Sequence, residues 1–366
     1  MKLTINREQL LRPLSIVSAV VERRQTLPIL SNVHLLVKDR TLFFTATDLE
    51  VEVTASTHLT EAVGNVDITV PARKLVDICK AAPQDCQISF DLTDEKVIVR
   101  AGRARFTLAS MDAAEYPQLA VGDGNLELMV ANKEIRALLN QTHFAMAQQD
   151  VRYYLNGLLF DLESGKLTIV GTEGHRLALA TLPVDFVGEQ RCLIIPRKTV
   201  LEMIRILDDS ENPVKLSFGT DHFIFDVNDV VFRSKVIDGK FPEYQRVIPS
   251  NLANTMYCDR RELKDVVARV SILANEKYRA VRFNITNGQL SIAANNQENE
   301  EAVEELEVSY EGEPLEIGFN ASYFVDVLNA IETDRVIIEF GDSNSSCLIY
   351  GYEGDTSRYV IMPMRL

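Results

Sequence analysis

The sequence predicts an α+β fold built three times in tandem, each copy combining two helices with antiparallel strands. Three sets of residues repeat at an interval of about 125 positions, which is the size of a domain. They mark a first helix, a strand end and a second helix: Leu10, Ile135 and Leu263; Thr47, Thr172 and Asn295; Asp77, Glu202 and Asp326. We therefore predict three domains, at 1–124, 125–252 and 253–366.

Apolar residues at helical spacing predict the two helices of each copy. In the first copy Leu10, Leu14 and Val17 recur on one helix face, and the later copies repeat this stripe. A polar residue that suits an N-cap precedes each first helix. These expected caps are Asn6, Asn132 and Asp259.

Short alternating or β-branched segments between turn residues predict about eight strands in each copy. In the first copy they include 41–47, 87–91, 96–101 and 105–109. Pairs such as Ser164-Gly165 and Asn287-Gly288 separate neighbouring strands. We expect the helices of each copy to cover one face of its antiparallel sheet.

Composition is that of an ordinary globular protein. Of 366 residues, 46% are hydrophobic and 25% charged, and no apolar run approaches the roughly 18–20 residues of a membrane span. The five cysteines are scattered without a CxxC pair, so we expect buried free thiols rather than disulfides or zinc ligands. The chain starts directly with a strand and shows no signal-peptide pattern, so we expect a cytoplasmic protein.

Catalytic motifs are missing from the sequence. The glycines at 171 and 174 are not followed by the lysine of a P-loop, and the five histidines lie far apart. We expect no catalytic site, no metal and no cofactor. An alternative is a nuclease holding Mg²⁺ on the glutamates of 298–307, although glutamates without aspartates or a glycine turn are more typical of strand and loop surface.

Charge is distributed unevenly along the chain. The formal net charge is −15, which argues against an ordinary basic nucleic-acid surface. Residues 298–307 carry six glutamates, whereas basic residues cluster near 23–24, 73–74, 100–105, 197–198 and 260–261. Taken alone, each charge run is typical of a solvated face.

Opposite charges at opposite ends of a threefold repeat favour head-to-tail pairing of two copies into a closed ring. Basic residues with apolar neighbours mark the first copy, and glutamates near an apolar helix end mark the third. The predicted dimer interface comprises Lys74, Lys96, Arg103, Arg105, Phe106, Leu108, Ile272, Leu273, Glu298, Glu300, Glu301 and Glu304.

Six motifs follow one another along the whole chain: TLPIL at 26–30, VPARK at 70–74, QDVRYYLNG at 149–157, GHRL at 174–177, DGKFP at 238–242 and VIMPMRL at 360–366. Together they resemble the bacterial β sliding clamp family, the processivity subunits of DNA polymerase III. The resemblance implies the DNA clamp fold, a homodimeric ring of six domains around duplex DNA with helices lining the bore.

The resemblance implies a non-catalytic function, in which the ring tethers the replicative polymerase to DNA after loading by a separate ATP-driven clamp loader. It places five residues against DNA, where arginines and amides meet phosphates and tyrosines rest on exposed bases. These DNA-binding candidates are Arg24, Arg73, Gln149, Tyr153 and Tyr154. Further cations expected in the bore are Lys74, Arg197, Lys198, Arg260 and Lys264. The alternatives are a solvated helix start for Arg73 and a half-buried strand for the tyrosine pair.

The family also has a hydrophobic cleft between the second and third domains that binds peptides of partner proteins. The matching positions are Leu155, Thr172, Gly174, His175, Arg176, Leu177, Pro242, Arg246, Val247, Asn320, Tyr323, Ser346, Val360, Met362, Pro363, Met364 and Arg365. Methionines on both sides of a proline would form an adaptable wall for different peptides, although the tail is also readable as a last core strand.

The partners expected from the resemblance are duplex DNA, a second copy, the clamp loader, replicative and translesion polymerases and other clamp-motif peptides, with no membrane. A ring-shaped scaffold that is not loaded on DNA is the remaining alternative.

Overall fold

The computed structural model describes residues 2–22, 27–60, 66–92, 96–120, 126–250 and 252–365. Within these ranges each third of the chain contains two α-helices and at least eight strands, which confirms the predicted α+β class. The helices are α1 (Arg7–Val17), α2 (Ala72–Ala81), α3 (Asn132–Thr142), α4 (Arg197–Ile206), α5 (Arg260–Val270) and α6 (Ala321–Ala330).

The strands follow the same threefold order. The first third supplies β1 (Lys2–Asn6), β2 (Asn32–Lys38), β3 (Thr41–Thr47), β4 (Val51–His58), β5 (Asp67–Pro71), β6 (Gln87–Leu92), β7 (Lys96–Ala101) and β8 (Ala104–Ala109). The second supplies β9 (Leu126–Ala131), β10 (Gly157–Glu163), β11 (Lys166–Thr172), β12 (Arg176–Pro183), β13 (Arg191–Pro196), β14 (Pro213–Phe218), β15 (His222–Val227) and β16 (Val230–Lys235). The last third supplies β17 (Asn254–Asp259), β18 (Ala280–Thr286), β19 (Gln289–Asn295), β20 (Glu301–Glu307), β21 (Ser309–Tyr310), β22 (Leu315–Asn320), β23 (Arg335–Phe340), β24 (Cys347–Tyr350) and β25 (Ser357–Ile361).

These strands form four sheets. Two sheets have four strands, in the orders β1-β6-β7-β8 and β20-β19-β18-β22. The other two each combine strands of neighbouring repeats, in the orders β5-β2-β3-β4-β16-β15-β14-β9 and β13-β10-β11-β12-β25-β24-β23-β17-β21. The sequence did not predict this sharing, because the alternation of side chains along a strand does not specify which distant strand is its neighbour.

The chain divides into two compact units. Unit 1 comprises Met1–Lys133 and Arg205–Val236, and unit 2 comprises Glu134–Ile204 and Ile237–Leu366. In unit 1, α1 packs on α2, β3 and β4 and buries its predicted apolar stripe. In unit 2, α5 packs in the same way on α6, β19 and β20, and buries Leu263, Val266 and Val267.

Two of the three predicted helix caps are confirmed. The Asn6 side chain accepts a hydrogen bond from the Glu8 backbone N–H at 3.1 Å, and Asp259 accepts one from Glu262 at 2.8 Å. The prediction for Asn132 is wrong, since this residue begins α3 itself and its Oδ1 accepts from the Asp208 backbone N–H at 2.9 Å. Buried Asn132 therefore joins two segments of unit 1 instead of capping a helix.

The cysteines are all free, and the prediction that they are buried is right for Cys79, Cys258 and Cys347. Burial raises the pKa of each of these three thiols to about 12, which keeps them protonated and unreactive. Cys86 is partly buried, and Cys192 is exposed, contrary to the prediction. In the described part of the chain, none of the helices combines the length and apolar character needed to span a membrane.

Candidate functional site

The residues predicted to line a peptide cleft all lie in unit 2, near the junction of β12 with β25. In this antiparallel pair Leu177 lies opposite Val360, and Arg176 lies opposite Ile361. β12 belongs to the second repeat and β25 to the third, so this pair joins the two repeats within one sheet. The structure thus brings together predicted site residues that are far apart in sequence.

An apolar cluster forms the centre of the candidate site. Leu155, Leu177 and Val360 belong to one group of buried side chains, which also includes Phe241 and Tyr244. The rim is open to solvent, because Val247 is 45% exposed and Met362 is 44% exposed. Exposed apolar side chains around a buried apolar centre are typical of a surface that binds another chain.

Part of this cluster was not predicted from the sequence. Residues 237–250, here called the crossing segment, place Phe241 and Tyr244 in the cluster and pack Ile237 and Ile248 against it. The apolar residues recur every three or four positions between polar ones, and that spacing was the available signal. Pro242, Arg246 and Val247 of the same segment are exposed, as a binding wall requires.

Backbone hydrogen bonds hold the tail beside the cluster. The Met362 N–H donates to the His175 carbonyl at 2.9 Å, and the Met364 N–H donates to the Gly318 carbonyl at 2.8 Å. The last strand ends at Ile361, so the reading of the whole tail as a core strand is wrong. Leu366 lies outside the described residues. Met362, Pro363 and Met364 therefore remain partly exposed along an anchored backbone.

A tight turn after β11 shapes the site next to His175. The Thr172 hydroxyl donates to the Arg176 carbonyl at 2.6 Å and accepts from the Gly174 N–H at 3.2 Å. Gly174 has φ of +98°, and a Cβ there would lie 2.9 Å from Nη1 of Arg152. Glycine is therefore favoured by the positive φ, and the Arg152 guanidinium would have to move to admit a larger side chain.

Arg176 is a largely buried residue with structural contacts beside the site. Its Nη1 donates to Asp326 at 2.6 Å and its Nη2 to the Phe144 carbonyl at 2.6 Å. The guanidinium carbon lies 4.5 Å from the ring centre of Tyr323, whose hydroxyl donates to Glu173 at 3.2 Å. Burial and the Glu173 carboxylate raise the pKa of Tyr323 to about 12. The planar guanidinium thus fixes the start of β12 against α6.

We expect Arg176→Ala to lower the free energy of unfolding by about 2 kcal/mol, because it leaves Asp326 and a buried carbonyl without their donor. Urea unfolding measures this loss. Arg246→Ala is the matched control, since the Arg246 side chain is 82% exposed and pairs with exposed Glu243. Equal losses in the two variants would contradict the structural role of Arg176.

The remaining cleft candidates have more local contacts. Asn320 caps α6, accepting from the Ser322 N–H at 2.9 Å. Ser346 lies partly buried in the connection before β24, and His175 and Arg365 are exposed. These residues surround the apolar centre with polar groups, as in interfaces with an apolar core and a polar rim.

The equivalent junction in unit 1 is polar. There β4 pairs with β16, and Glu52 lies opposite Arg233 at the positions that Leu177 and Val360 occupy in unit 2. The Glu52 carboxylate accepts from Arg233 at 3.1 Å and from the Leu119 N–H at 3.0 Å. An ion pair therefore replaces the central apolar contact of unit 2, and the apolar cluster of Ile29, Leu30 and Tyr116 in unit 1 is smaller.

The DNA-binding candidates are divided between the units. Arg24 lies outside the described residues. Arg73 in unit 1 is exposed and donates through Nη2 to the Val21 carbonyl at 2.8 Å. In unit 2, Gln149 is exposed with φ of +57°, and Tyr153 is 59% exposed.

The two tyrosines differ in their surroundings. They lie in a 3₁₀ turn, Tyr153–Leu155, and not in a strand, so the alternative reading of this pair as a strand is wrong. Both side chains lie near Gly239, but Tyr154 packs against the apolar cluster, whereas Tyr153 is 59% exposed. Tyr153 is thus the one of the two whose ring is open to a ligand.

The cations expected in the bore are not equivalent either. Arg260 donates through Nε to the Thr333 carbonyl at 2.6 Å and through Nη1 to the Leu328 carbonyl at 2.8 Å. It therefore secures the end of α6, and its expected place in the bore stays a prediction. Lys74 is exposed, while Arg197, Lys198 and Lys264 are partly exposed.

Several of the predicted dimer residues lie on two edge strands. Among the described strands, β8 ends the first four-stranded sheet and β20 ends the last one. Arg103 and Arg105 are exposed, and Phe106 is half-buried on the opposite face of β8. Lys96 begins β7, beside β8. Leu108 is buried, and Lys74 lies on α2.

Among the glutamates predicted at the dimer interface, Glu304 already forms an ion pair within its own chain. Arg269 donates to both carboxylate oxygens of Glu304, at 3.0 and 2.6 Å, and this contact lowers the pKa of Glu304. Glu301 is exposed on the other face of β20. Glu298 and Glu300 lie in the turn before β20, and Ile272, 76% exposed, lies with Leu273 in a 3₁₀ turn after α5.

The residues described here contain no group of three or more His, Cys, Asp or Glu side chains placed to hold a metal ion. Instead, Glu301, Glu305 and Glu307 of β20 point to its exposed face, and Glu304 points to the other face, where Arg269 pairs with it. This arrangement gives no support to the alternative of a Mg²⁺-dependent nuclease on this strand.

Comparison with known proteins gives full-length matches. Three models of the DNA polymerase III beta subunit match: the N-terminal domain over residues 1–120, the central domain over 129–243 and the C-terminal domain over 245–365. The beta sliding clamp of Pseudomonas aeruginosa is 47% identical over 367 residues, and that of Escherichia coli is 44% identical over 366 residues, each with 100% of both chains covered.

Solved structures give the same result. The DNA polymerase III subunit beta of Pseudomonas aeruginosa matches with a TM-score of 0.97 at 47% identity, with 100% of both chains covered. The pol III beta of Caulobacter crescentus matches with a TM-score of 0.93 at 37% identity, again with both chains fully covered.

Proposed function

The chain belongs to the DNA polymerase III beta subunit family, and from this membership we propose that two copies close into a ring around duplex DNA. The function of the chain is that of a sliding clamp, a processivity factor of DNA polymerase III with no chemistry of its own. The proposal concerns how the ring closes, where DNA touches it and where partner proteins bind.

The observation that supports a ring is the strand pairing that joins successive repeats, which occurs twice within the chain. In both internal junctions the fourth strand of one repeat pairs antiparallel with the last strand of the next, as β4 with β16 and β12 with β25. The fourth strand of the third repeat is β20, and the last strand of the first repeat is β8. Both are edges among the described strands. We infer that β20 of one copy pairs with β8 of the other.

The pairing of β4 with β16 in unit 1 also predicts which residues of β20 and β8 lie opposite each other. There Phe232 lies opposite Val53 and is 1% exposed. The strand and hairpin registers make Phe106 the equivalent of Phe232 and Ala302 the equivalent of Val53. In the same register Arg105 lies opposite Val303, diagonally between Glu301 and Glu305. Pairing would therefore bury the half-exposed Phe106 and place Arg105 between two carboxylates.

A closed ring explains how an acidic protein stays on DNA. A net charge of −15 repels the phosphate backbone overall, so the ring needs only a few weak contacts while its topology prevents loss. Arg24, Arg73, Gln149 and Tyr153 are our candidates for those contacts. We propose that a separate ATP-driven clamp loader opens the ring.

We expect Tyr153→Ala to weaken binding to a primed duplex about tenfold, since one exposed ring would no longer stack on a base. Fluorescence anisotropy measures the affinity. Tyr154→Ala is the matched comparison and should instead lower the free energy of unfolding by about 2 kcal/mol, because that ring packs on the apolar cluster. Wild-type DNA affinity in Tyr153→Ala would contradict the assignment.

The apolar cleft at the β12–β25 junction is our proposed site for peptides of the replicative polymerase, translesion polymerases and other partners. A buried apolar centre, two partly exposed methionines and an anchored tail backbone support it. Methionine side chains adapt to different apolar anchors, which suits a site shared by several partners.

Primer extension tests the function as a whole. On a singly primed circular template, with polymerase III core and a clamp loader, adding the chain should lengthen the product of a single binding event. Omission of the loader is the control, because a closed ring cannot then reach the template. Product lengths that do not depend on the chain would contradict the function.

A further inference from the structure

The buried carboxylate of Asp161 lies on the same face of the second repeat's sheet as the apolar cluster. Asp161 is 2% exposed on β10, two residues from Leu159, which belongs to the cluster. Residues two apart on a strand point to the same side. A carboxylate in such a place needs hydrogen-bond donors around it, since an unpaired buried charge is costly.

Three donors reach this carboxylate from two parts of unit 2. Gln190 Nε2 and Cys192 Sγ donate to Oδ1 at 2.7 and 3.2 Å, from β13 and the residue before it. The Tyr244 hydroxyl donates to Oδ2 at 2.9 Å, from the crossing segment. Asp161 thus connects the edge of the sheet with the segment that passes over it.

Tyr244 is the central anchor of the crossing segment. It is 7% exposed and begins the 3₁₀ turn Tyr244–Arg246, and its carbonyl accepts from the Val247 N–H at 3.0 Å. The exposed neighbours Pro242, Arg246 and Val247 are cleft residues on the same turn or beside it. Fixing the Tyr244 ring therefore fixes the position and direction of that cleft wall.

We propose that Asp161 is a positioning residue of the peptide cleft, acting through Tyr244 to hold the wall formed by Pro242, Arg246 and Val247. This inference rests on the proposed function of the cleft. Asp161 does not touch the peptide. It reduces the number of positions that the wall adopts before binding, and a preorganised wall binds its ligand more tightly.

The ionisation of the donors agrees with this arrangement. Burial and the nearby Asp161 carboxylate raise the pKa of the Tyr244 hydroxyl far above its ordinary value. Burial, together with the hydrogen bond to Asp161, raises the pKa of Cys192 to about 12. Both groups therefore keep their protons at neutral pH and remain donors to Asp161.

The test compares two buried tyrosines, one in each unit. Tyr244→Phe removes the hydroxyl that reaches Asp161, and Tyr116→Phe removes a comparable hydroxyl in unit 1, which donates to the Asn32 carbonyl at 3.1 Å. The probe is a fluorescent synthetic peptide from the polymerase III subunit that binds the clamp. We expect Tyr244→Phe to raise its Kd about tenfold and Tyr116→Phe to leave it unchanged.

Coupling separates a positioning role from a general loss of stability. If Tyr244 positions the wall, the effects of Tyr244→Phe and Val247→Ala on the peptide Kd should not be additive in free energy. The double variant should then bind the peptide only slightly less tightly than the single variant with the higher Kd. The fold-changes in Kd caused by Tyr244→Phe and Met362→Ala should multiply, because Met362 lies on the tail and not on the wall that Tyr244 positions. Asp161→Asn serves as a second variant and should also weaken binding, with its folding checked by thermal unfolding.

The outcomes distinguish failure of the positioning role from failure of the cleft assignment. Unchanged Kd in both Tyr244→Phe and Asp161→Asn, or equal effects of Tyr244→Phe and Tyr116→Phe, would overturn the positioning role while leaving the cleft in place. If Val247→Ala and Met362→Ala both leave the Kd unchanged, the cleft assignment itself fails and the positioning role fails with it.

Discussion

Reversing two charges, Arg103→Glu with Arg105→Glu, should raise the Kd of the dimer about 1,000-fold. A closed head-to-tail dimer has two equivalent junctions, so four charges change sign. If each reversal costs about 1 kcal/mol, from a lost attraction and a new repulsion, the total is about 4 kcal/mol. Sedimentation velocity over a dilution series measures the shift from dimer to monomer.

The matched control makes the same charge change elsewhere. Arg246→Glu with Arg261→Glu alters two exposed arginines away from β8 and β20, and should leave the dimer unaffected. Adding Glu301→Arg to the first variant should restore part of the affinity, because Glu301 lies diagonally across from Arg105 in the inferred register. Glu304 stays unchanged, since Arg269 holds it within the chain. An unchanged dimer in the first variant would refute the pairing of β8 with β20.

Truncation after Ile361 should weaken peptide binding at least 100-fold while leaving the ring closed. It removes Met362 and Met364, and burial of a methionine side chain contributes about 1.5–3 kcal/mol. The strand that ends at Ile361 keeps its pairing with β12 and β24, so we expect the sheet to stay intact. Isothermal titration with the polymerase peptide measures the affinity, and sedimentation confirms the dimer.

Two further variants make this result specific. Met362→Ala with Met364→Ala keeps the backbone bonds to His175 and Gly318, and should still weaken binding by more than tenfold, since two apolar contacts are lost. Met129→Ala removes a methionine that is 57% exposed on β9 in unit 1 and should have no effect. Normal peptide binding by the truncated chain would show that the tail is not part of the site.

Most of the fold was predictable because each repeat carries the same local pattern. The strands at 41–47 and 96–101 have the predicted bounds, since alternation and turn residues mark them on both sides. Asn132 shows the limit of this reasoning. It looks like a cap by position, but its partner is Asp208, and no local pattern connects two residues so far apart.

The candidate site was predictable only through a resemblance, and its internal contacts were not predictable at all. From the sequence, Arg260 was expected among the cations of the bore and Glu304 at the dimer interface. The structure shows Arg260 bound to carbonyls at Thr333 and Leu328, and Glu304 paired with Arg269. Such partners depend on packing between distant elements. The domain bounds at 124 and 252, and the individual roles of the site residues, stay predictions.

The central claim is that topology, more than affinity, holds this acidic chain on DNA. The direct test loads the chain onto nicked circular DNA with a clamp loader, removes the loader, and measures by gel filtration how much chain stays bound before and after the circle is cut. We predict that the chain elutes with the intact circle and is lost from the linear form, because a ring slides off a free end. Equal retention on both forms would show that ordinary binding holds the chain and would contradict the account.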